Sequence, residues 1–223
     1  MSVAYPLCHR QNIFRRLEVL VLTSRWGGWL CLDFANIVEA RAAATPEEHL
    51  HTYGELLWWG SDTGALSPER AVRLRELATA KPEAAAATLA RAIDLREAVF
   101  RTFHHAARGA PPPAEDLAAI HDRYSDGIRH ARLDWTPERP QWVWDGPHLD
   151  QPSWAVAASA VELATHGPLH RVKTCAAQEG CAGLFIDTTK NNSRRWCTME
   201  GCGNEVKFRR QTVRRRERRR RDR

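Results

Sequence analysis

Four cysteines, Cys175, Cys181, Cys197 and Cys202, fall within 28 residues in the pattern C-x5-C-x15-C-x4-C. Two close pairs separated by a ribbon-sized spacer can place four sulfurs at the corners of a tetrahedron, about 2.3 Å from one zinc ion. The spacer reads as strand (Gly183 to Asp187), polar turn and strand (Lys190 to Arg194), which folds the second pair back beside the first. A segment this small buries too little apolar surface to fold alone, so a structural zinc is expected to supply much of its stability. Unligated thiols, a redox disulfide and an iron–sulfur cluster use the same residue type and stand as alternatives. Four thiolates leave no open coordination position, which argues against hydrolytic zinc chemistry.

The charge distribution points the same end of the chain at a polyanion. Residues 171–223 hold 16 Lys/Arg and 6 Asp/Glu, a balance of +10, whereas residues 1–170 hold 17 and 21, a balance of −4. After Cys202, Asn204 reads as a helix N-cap and Glu205 suits the positive end of the helix dipole. The helix would carry Lys207, Arg209, Arg210, Arg214, Arg215 and Arg216, with further arginines to Arg221. Such crowding destabilises a free helix, and phosphates relieve it by accepting guanidinium hydrogen bonds. Arg194 and Arg195 are expected to flank the same face, with Trp196 packed over the sulfurs. Arginine density signals affinity for nucleic acid without separating DNA from RNA.

Ahead of this module the sequence reads as a mainly helical body. Residues 1–25 form an extension of uncertain structure. The run WLCLDF (residues 29–34) reads as a short strand, and the segment from Asn36 as helical. Helix starts are expected at Thr45-Pro46, Ser67-Pro68, Pro82 and Pro152, the third opening a long helix that ends by Gly109. A helix carrying Leu117, Ile120 and Tyr124 should stop near Gly127, followed by a hairpin of Ile128 to Trp135 and Gln141 to Trp144. Trp135, Trp142, Trp144 and Trp154 are expected in the core. The fold class is α+β: a predominantly helical body with a β-hairpin over 26–168, and a small zinc-bound ββα-like module over 169–223. Cys8 reads as a spare thiol and Cys31 as a buried small hydrophobe. Arg25 breaks the apolar run LEVLVL, no small-residue cleavage site follows, and no stretch approaches the roughly 20 apolar residues of a membrane span, so a cytoplasmic protein is expected. No nucleophile–base pair or phosphate loop points to an enzyme. Asp33 and Asn36 either contact a small-molecule effector or cap a helix.

The run from Cys175 through Cys181-Ala-Gly-Leu-Phe-Ile-Asp to Arg194-Arg-Trp-Cys-Thr-Met-Glu-Gly-Cys-Gly-Asn204 resembles the CGNR zinc-finger family. In that family the finger follows a helical domain called ABATE, described as a stress-induced bacterial transcription regulator, and Leu30-Cys-Leu-Asp-Phe-Ala-Asn36 resembles that domain's opening motif. The resemblance spans about residues 26 to 216. It implies that the four cysteines ligate one structural zinc and that the finger binds double-stranded DNA. One position departs from the pattern: Glu205 stands where the family's namesake arginine follows Cys-Gly-Asn. The function expected is a DNA-binding transcription regulator whose body senses a ligand or partner, as a monomer or a homodimer. An RNA-binding or ribosome-associated zinc protein is the alternative, and an enzyme with a structural zinc tail the less favoured one.

Overall fold

The computed structural model describes residues 25–135, 137, 140–144, 146–177 and 180–221. The extension expected over 1–25 therefore lies outside the described residues apart from Arg25, as does Cys8. Among the described residues seven α-helices and two small antiparallel hairpins follow in order: α1 Leu30–Ala35, α2 Tyr53–Asp62, α3 Pro68–Ala80, α4 Pro82–Ala106, α5 Ala114–Arg129, β1 Ala131–Trp135, β2 Pro140–Trp144, α6 Gln151–Thr165, β3 Val172–Thr174, β4 Leu184–Ile186 and α7 Asn204–Arg221.

α1 is the centre of the body, and it is a helix where a strand was expected. Its Cys31, Leu32, Phe34 and Ala35 are all buried, so no face alternates and a six-residue apolar run carries no period to separate the two. Its orphan first turn is satisfied from outside: the Cys31 N–H donates to the Ser159 hydroxyl at 3.1 Å and the Trp29 indole to the Ser159 carbonyl at 3.0 Å. At the other end Arg41 donates twice to the Ala35 carbonyl, at 3.1 and 2.9 Å, and pairs with Glu97. That cap ends the helix, and residues 36–51 form an irregular loop rather than the helices expected from Asn36 and Thr45. The next helix starts at Thr52, where a capping box with Glu55 supplies the reciprocal bonds that Thr45 does not make.

The cap signals at Ser67-Pro68 and Pro82 hold, and α4 runs 25 residues across the back of α1. Phe34 and Trp59 meet at 4.7 Å between ring centroids. Trp154 on α6 is buried, stacks on His130 at 4.9 Å and donates its indole N–H to Asp126 at 2.9 Å. Gly127 makes that contact feasible, since a Cβ there would lie 2.8 Å from the Trp154 Cβ. Two of the hairpin tryptophans, Trp135 and Trp142, correct the expectation of a shared aromatic core. β1 and β2 pair Ala131 with Trp144 through Trp135 with Pro140, but Trp135 is 80% and Trp142 45% exposed. A two-stranded ribbon has one covered face only where another layer meets it, and no layer covers Trp135 or Trp142 among the described residues. Ile128 belongs to α5, which continues to Arg129.

The core does not end with the body. Val172, Leu184 and Ile186 of the β3–β4 hairpin are buried in the same apolar cluster as Leu32, Val99 and Leu163. The Ile186 N–H donates to the Gly27 carbonyl at 2.8 Å, and Thr174 meets His104 of α4 at 3.2 Å.

Candidate metal centre and nucleic-acid interface

Cys175 leaves the end of β3 and Cys181 precedes β4. The Cys175 N–H donates to the Gly183 carbonyl at 2.8 Å, which prolongs the ladder and brings the first two thiols together. The first strand of this ribbon lies before Cys175; residues 190–194, expected as its second strand, form a turn and irregular chain. The second thiol pair returns because the Ala176 N–H donates to the Arg195 carbonyl at 2.9 Å. Cys202 sits in a π-helical turn, Met199–Gly203, that runs straight into α7.

All four sulfurs lie within 4.8 Å of one another, with Cys181 and Cys197 3.6 Å apart and Cys197 and Cys202 3.5 Å apart. Four sulfurs about 2.3 Å from a tetrahedral zinc would be about 3.8 Å apart, so the donor set fits that ion. Two backbone N–H groups point at the sulfurs, Gly183 at Cys181 and Cys197 at Cys175, each at 3.4 Å. Contacts from Cys181, Cys197 and Cys202 pull the Cys175 thiol down, and contact with Cys175 first among the three pushes the Cys197 thiol up. One thiolate is thus favoured and the next opposed, a conflict that a dication removes. Phe185, Trp26, Trp196 and Val206 pack around the cluster. Gly183 is required there, because a Cβ would come within 2.2 Å of the Trp26 ring.

Behind the cysteines stands an ionic keystone centred on Asp187, of which Asp187 and Arg194, as parts of the motif, stood out in the sequence. Asp187 is fully buried; it accepts from Lys173 Nζ at 2.6 Å, the Thr189 hydroxyl at 2.6 Å and N–H at 2.9 Å, and the Arg194 N–H at 2.8 Å. Burial alone would raise its carboxyl, but the Lys173 ammonium and these donors outweigh burial and hold it well below the usual carboxylate range. Lys173 also donates to the Asn192 and Arg194 carbonyls, closing the 187–194 turn. A lysine on a three-residue strand offers no sequence signal for this role.

Arg194 departs from the surface role expected of it. Its guanidinium donates to the carbonyls of Trp196, Ile186, Trp26 and Cys197 and lies 4.4 Å over the Phe185 ring. Its donors are engaged inside the module. Arg195 is exposed and rests 5.4 Å over Trp196.

α7 projects from the cluster as an 18-residue helix carrying ten Lys/Arg and two Glu. Lys207, Arg209, Arg210, Arg214, Arg215 and Arg216 are all exposed, as are Phe208 and Val213. Glu205 pairs with Arg209 at 2.7 Å, so the carboxylate standing in for the namesake arginine is partly neutralised by its own helix. Asn204 does not act as an N-cap. It is helical, and its amide donates back to the Glu200 carbonyl at 3.2 Å. The cap is Thr198, whose hydroxyl accepts from the Gly201 N–H at 3.2 Å. The helical run therefore begins before Cys202, and the metal-site residue is built into its first turn.

The two polar residues of the opening motif have backbone partners. Asp33 accepts the Gly27 N–H at 2.8 Å. Asn36 pairs like a strand residue with Leu184, donating to its carbonyl at 2.8 Å and accepting its N–H at 2.9 Å. Asn36 thus joins body to metal module, a role that no local sequence signal announces across a separation of 148 positions.

A family model described as "Putative stress-induced transcription regulator", ABATE, matches residues 28–167, and the CGNR zinc finger model matches residues 171–220. Among curated proteins none matches the chain.

Proposed function

Because the chain belongs to the ABATE family, with a CGNR zinc finger following that domain, we propose that it is a cytoplasmic DNA-binding transcription regulator. In this reading Cys175, Cys181, Cys197 and Cys202 hold one structural zinc, and the metal fixes the start and direction of α7. Arg195, Lys207, Arg209, Arg210, Arg214, Arg215 and Arg216 then meet the phosphates of double-stranded DNA. The observation that carries the reading is the continuity of the Cys202 turn with an exposed helix of ten cations. An anchored cationic helix has already lost the orientational freedom that a flexible tail would surrender on binding. The body would then act as the sensing part, as a monomer or a homodimer. A cleft between β2 and α6, lined by Trp29, Tyr124, Trp142, Trp144 and Glu162, offers an effector a seat. Among the described residues no helix is long and apolar enough to cross a membrane.

The test is a mobility-shift titration of the zinc-loaded chain on mixed duplex DNA at several salt concentrations. Each phosphate contact contributes about 0.9 to the slope of log affinity against log salt. Replacing Arg210, Arg214 and Arg215 by alanine should reduce that slope by roughly 3. Arg194→Ala should instead weaken metal retention, because its donors hold the chain around Cys197. Indifference of the chain to duplex DNA at low salt would sink the proposal. Preference for structured RNA in competition would move the same residues to the RNA-binding reading.

A further inference from the structure

We propose that Glu39, Glu47 and His49 form a second metal site, separate from the cysteines and open to solvent, that takes a divalent transition cation such as Zn2+ or Co2+. The backbone builds it. Glu39 and Glu47 form an antiparallel bridge, each N–H donating to the other's carbonyl at 2.9 Å. Residues directly opposed in such a pair send their side chains to the same face, so two carboxylates stand side by side. Opposed like charges destabilise a pair of strands unless a cation lies between them.

His49 completes the set. Its side chain is 4% exposed, yet neither Nδ1 nor Nε2 has a hydrogen-bond partner. A buried imidazole with no hydrogen bond is costly, and natural structures seldom leave one so. Its Nε2 lies 3.4 Å from a Glu39 oxygen, and one donor atom from each of the three residues falls within 4.8 Å of the others. The neighbouring charges leave the site alone. Glu48 turns away, accepting the N–H groups of His49 and Leu50 and pairing with the buried Arg96 at 2.6 Å. Arg41 and the rest of Arg96 are engaged by Glu97. The backbone of His49 is thereby pinned, with two carboxylates beside an imidazole and, among the described residues, no guanidinium paired with them.

One imidazole and two carboxylates suit borderline divalent ions, and three protein ligands leave room for water or an exogenous ligand, unlike the closed four-thiolate set. The two glutamates are the base of the 40–46 loop. At its tip the Ala42 N–H donates to the Gly180 carbonyl at 3.0 Å, next to Cys181. An ion here would clamp the loop that touches the metal module.

The full chain, its cysteine site filled with zinc, is dialysed against Co2+ or Zn2+ and the metal counted per chain. Thiolate absorption reports the cysteine site separately. Two ions per chain are expected, the second removed by a mild chelator without loss of the thiolate-bound one. The double variant Glu39→Gln, Glu47→Gln changes exposed side chains only and keeps the backbone bridge. It should fold normally and hold one ion, and His49→Gln should do the same. Saturation at one ion in the parent, or two ions in the double variant, overturns the site. Uptake of Mg2+ or Ca2+ in place of the transition ions overturns the assignment of its cation.

Discussion

Asp33 is a carboxylate held in an otherwise apolar turn of helix, and burial pushes it up to about 7 against the opposing pull of the Gly27 N–H and the Arg25 guanidinium. An unfolded aspartate titrates near 3.9. Between those values the folded chain binds more protons than the unfolded one, so stability falls as pH rises through about 4 to 7. Each pH unit in that window is worth at most about 1.4 kcal/mol. Asp33→Asn keeps an oxygen to accept the Gly27 N–H and removes the titration. The variant should be more stable than the parent at pH 8, by a few kcal/mol, and lose that advantage as pH falls toward about 4. Denaturant melts of both chains across this range check it. Comparing the two cancels the separate acid sensitivity of the thiolates, and parallel stability profiles would mean that Asp33 is ionised at little cost.

At the scale of elements, α7 is the one whose stability is most conditional. Its like charges repel at the three- and four-residue spacings that make helix neighbours, and the Glu205–Arg209 pair offsets little of this. In the proposed reading what holds the helix is its start, where Cys202 in the preceding turn would ligate the zinc. Chelating the zinc should therefore melt α7, seen as a loss of far-ultraviolet helicity from about 18 residues. Added salt should restore part of the signal by screening, and duplex DNA more of it. A helicity that ignores chelator and salt alike would show the helix to be self-sufficient. The elements also show what was legible in the sequence. α3 and α4 announced themselves through Ser67, Pro68 and Pro82, because caps are local chemistry. α1 did not, since six buried residues satisfy either periodicity. The hairpin strands were readable and the fate of Trp135 was not: alternation reports a strand, whereas burial depends on which layer arrives opposite it. Likewise the thiol spacing gave the metal cluster, but the inward turn of Arg194 depends on carbonyls brought from Trp26 and Ile186.

For the whole molecule the question is whether body and metal module unfold as one. Val172, Leu184 and Ile186 of the module lie in the body's apolar cluster, although the residues around the cysteines form a second one, and Asn36 fastens module to body through both polar groups of Leu184. Leu184 and Ile186 would lose their cover if the module stood alone. A shared core of this kind makes opening one part costly for the other. The zinc- or cobalt-loaded chain should therefore melt in one transition, with cobalt–thiolate absorption and the circular dichroism of the body helices falling together. Asn36→Ala leaves a buried N–H and a buried carbonyl unpaired, at roughly 2–5 kcal/mol. The absorption change should then precede the loss of body helicity, because the cost falls on the joint. Two separate transitions already in the parent chain would make the module an independent domain. A metal-ordered helix would in that case transmit nothing to the body. If the transitions coincide and Asn36→Ala parts them, a change of state in α1 or the 36–51 loop has a physical route to the direction of α7.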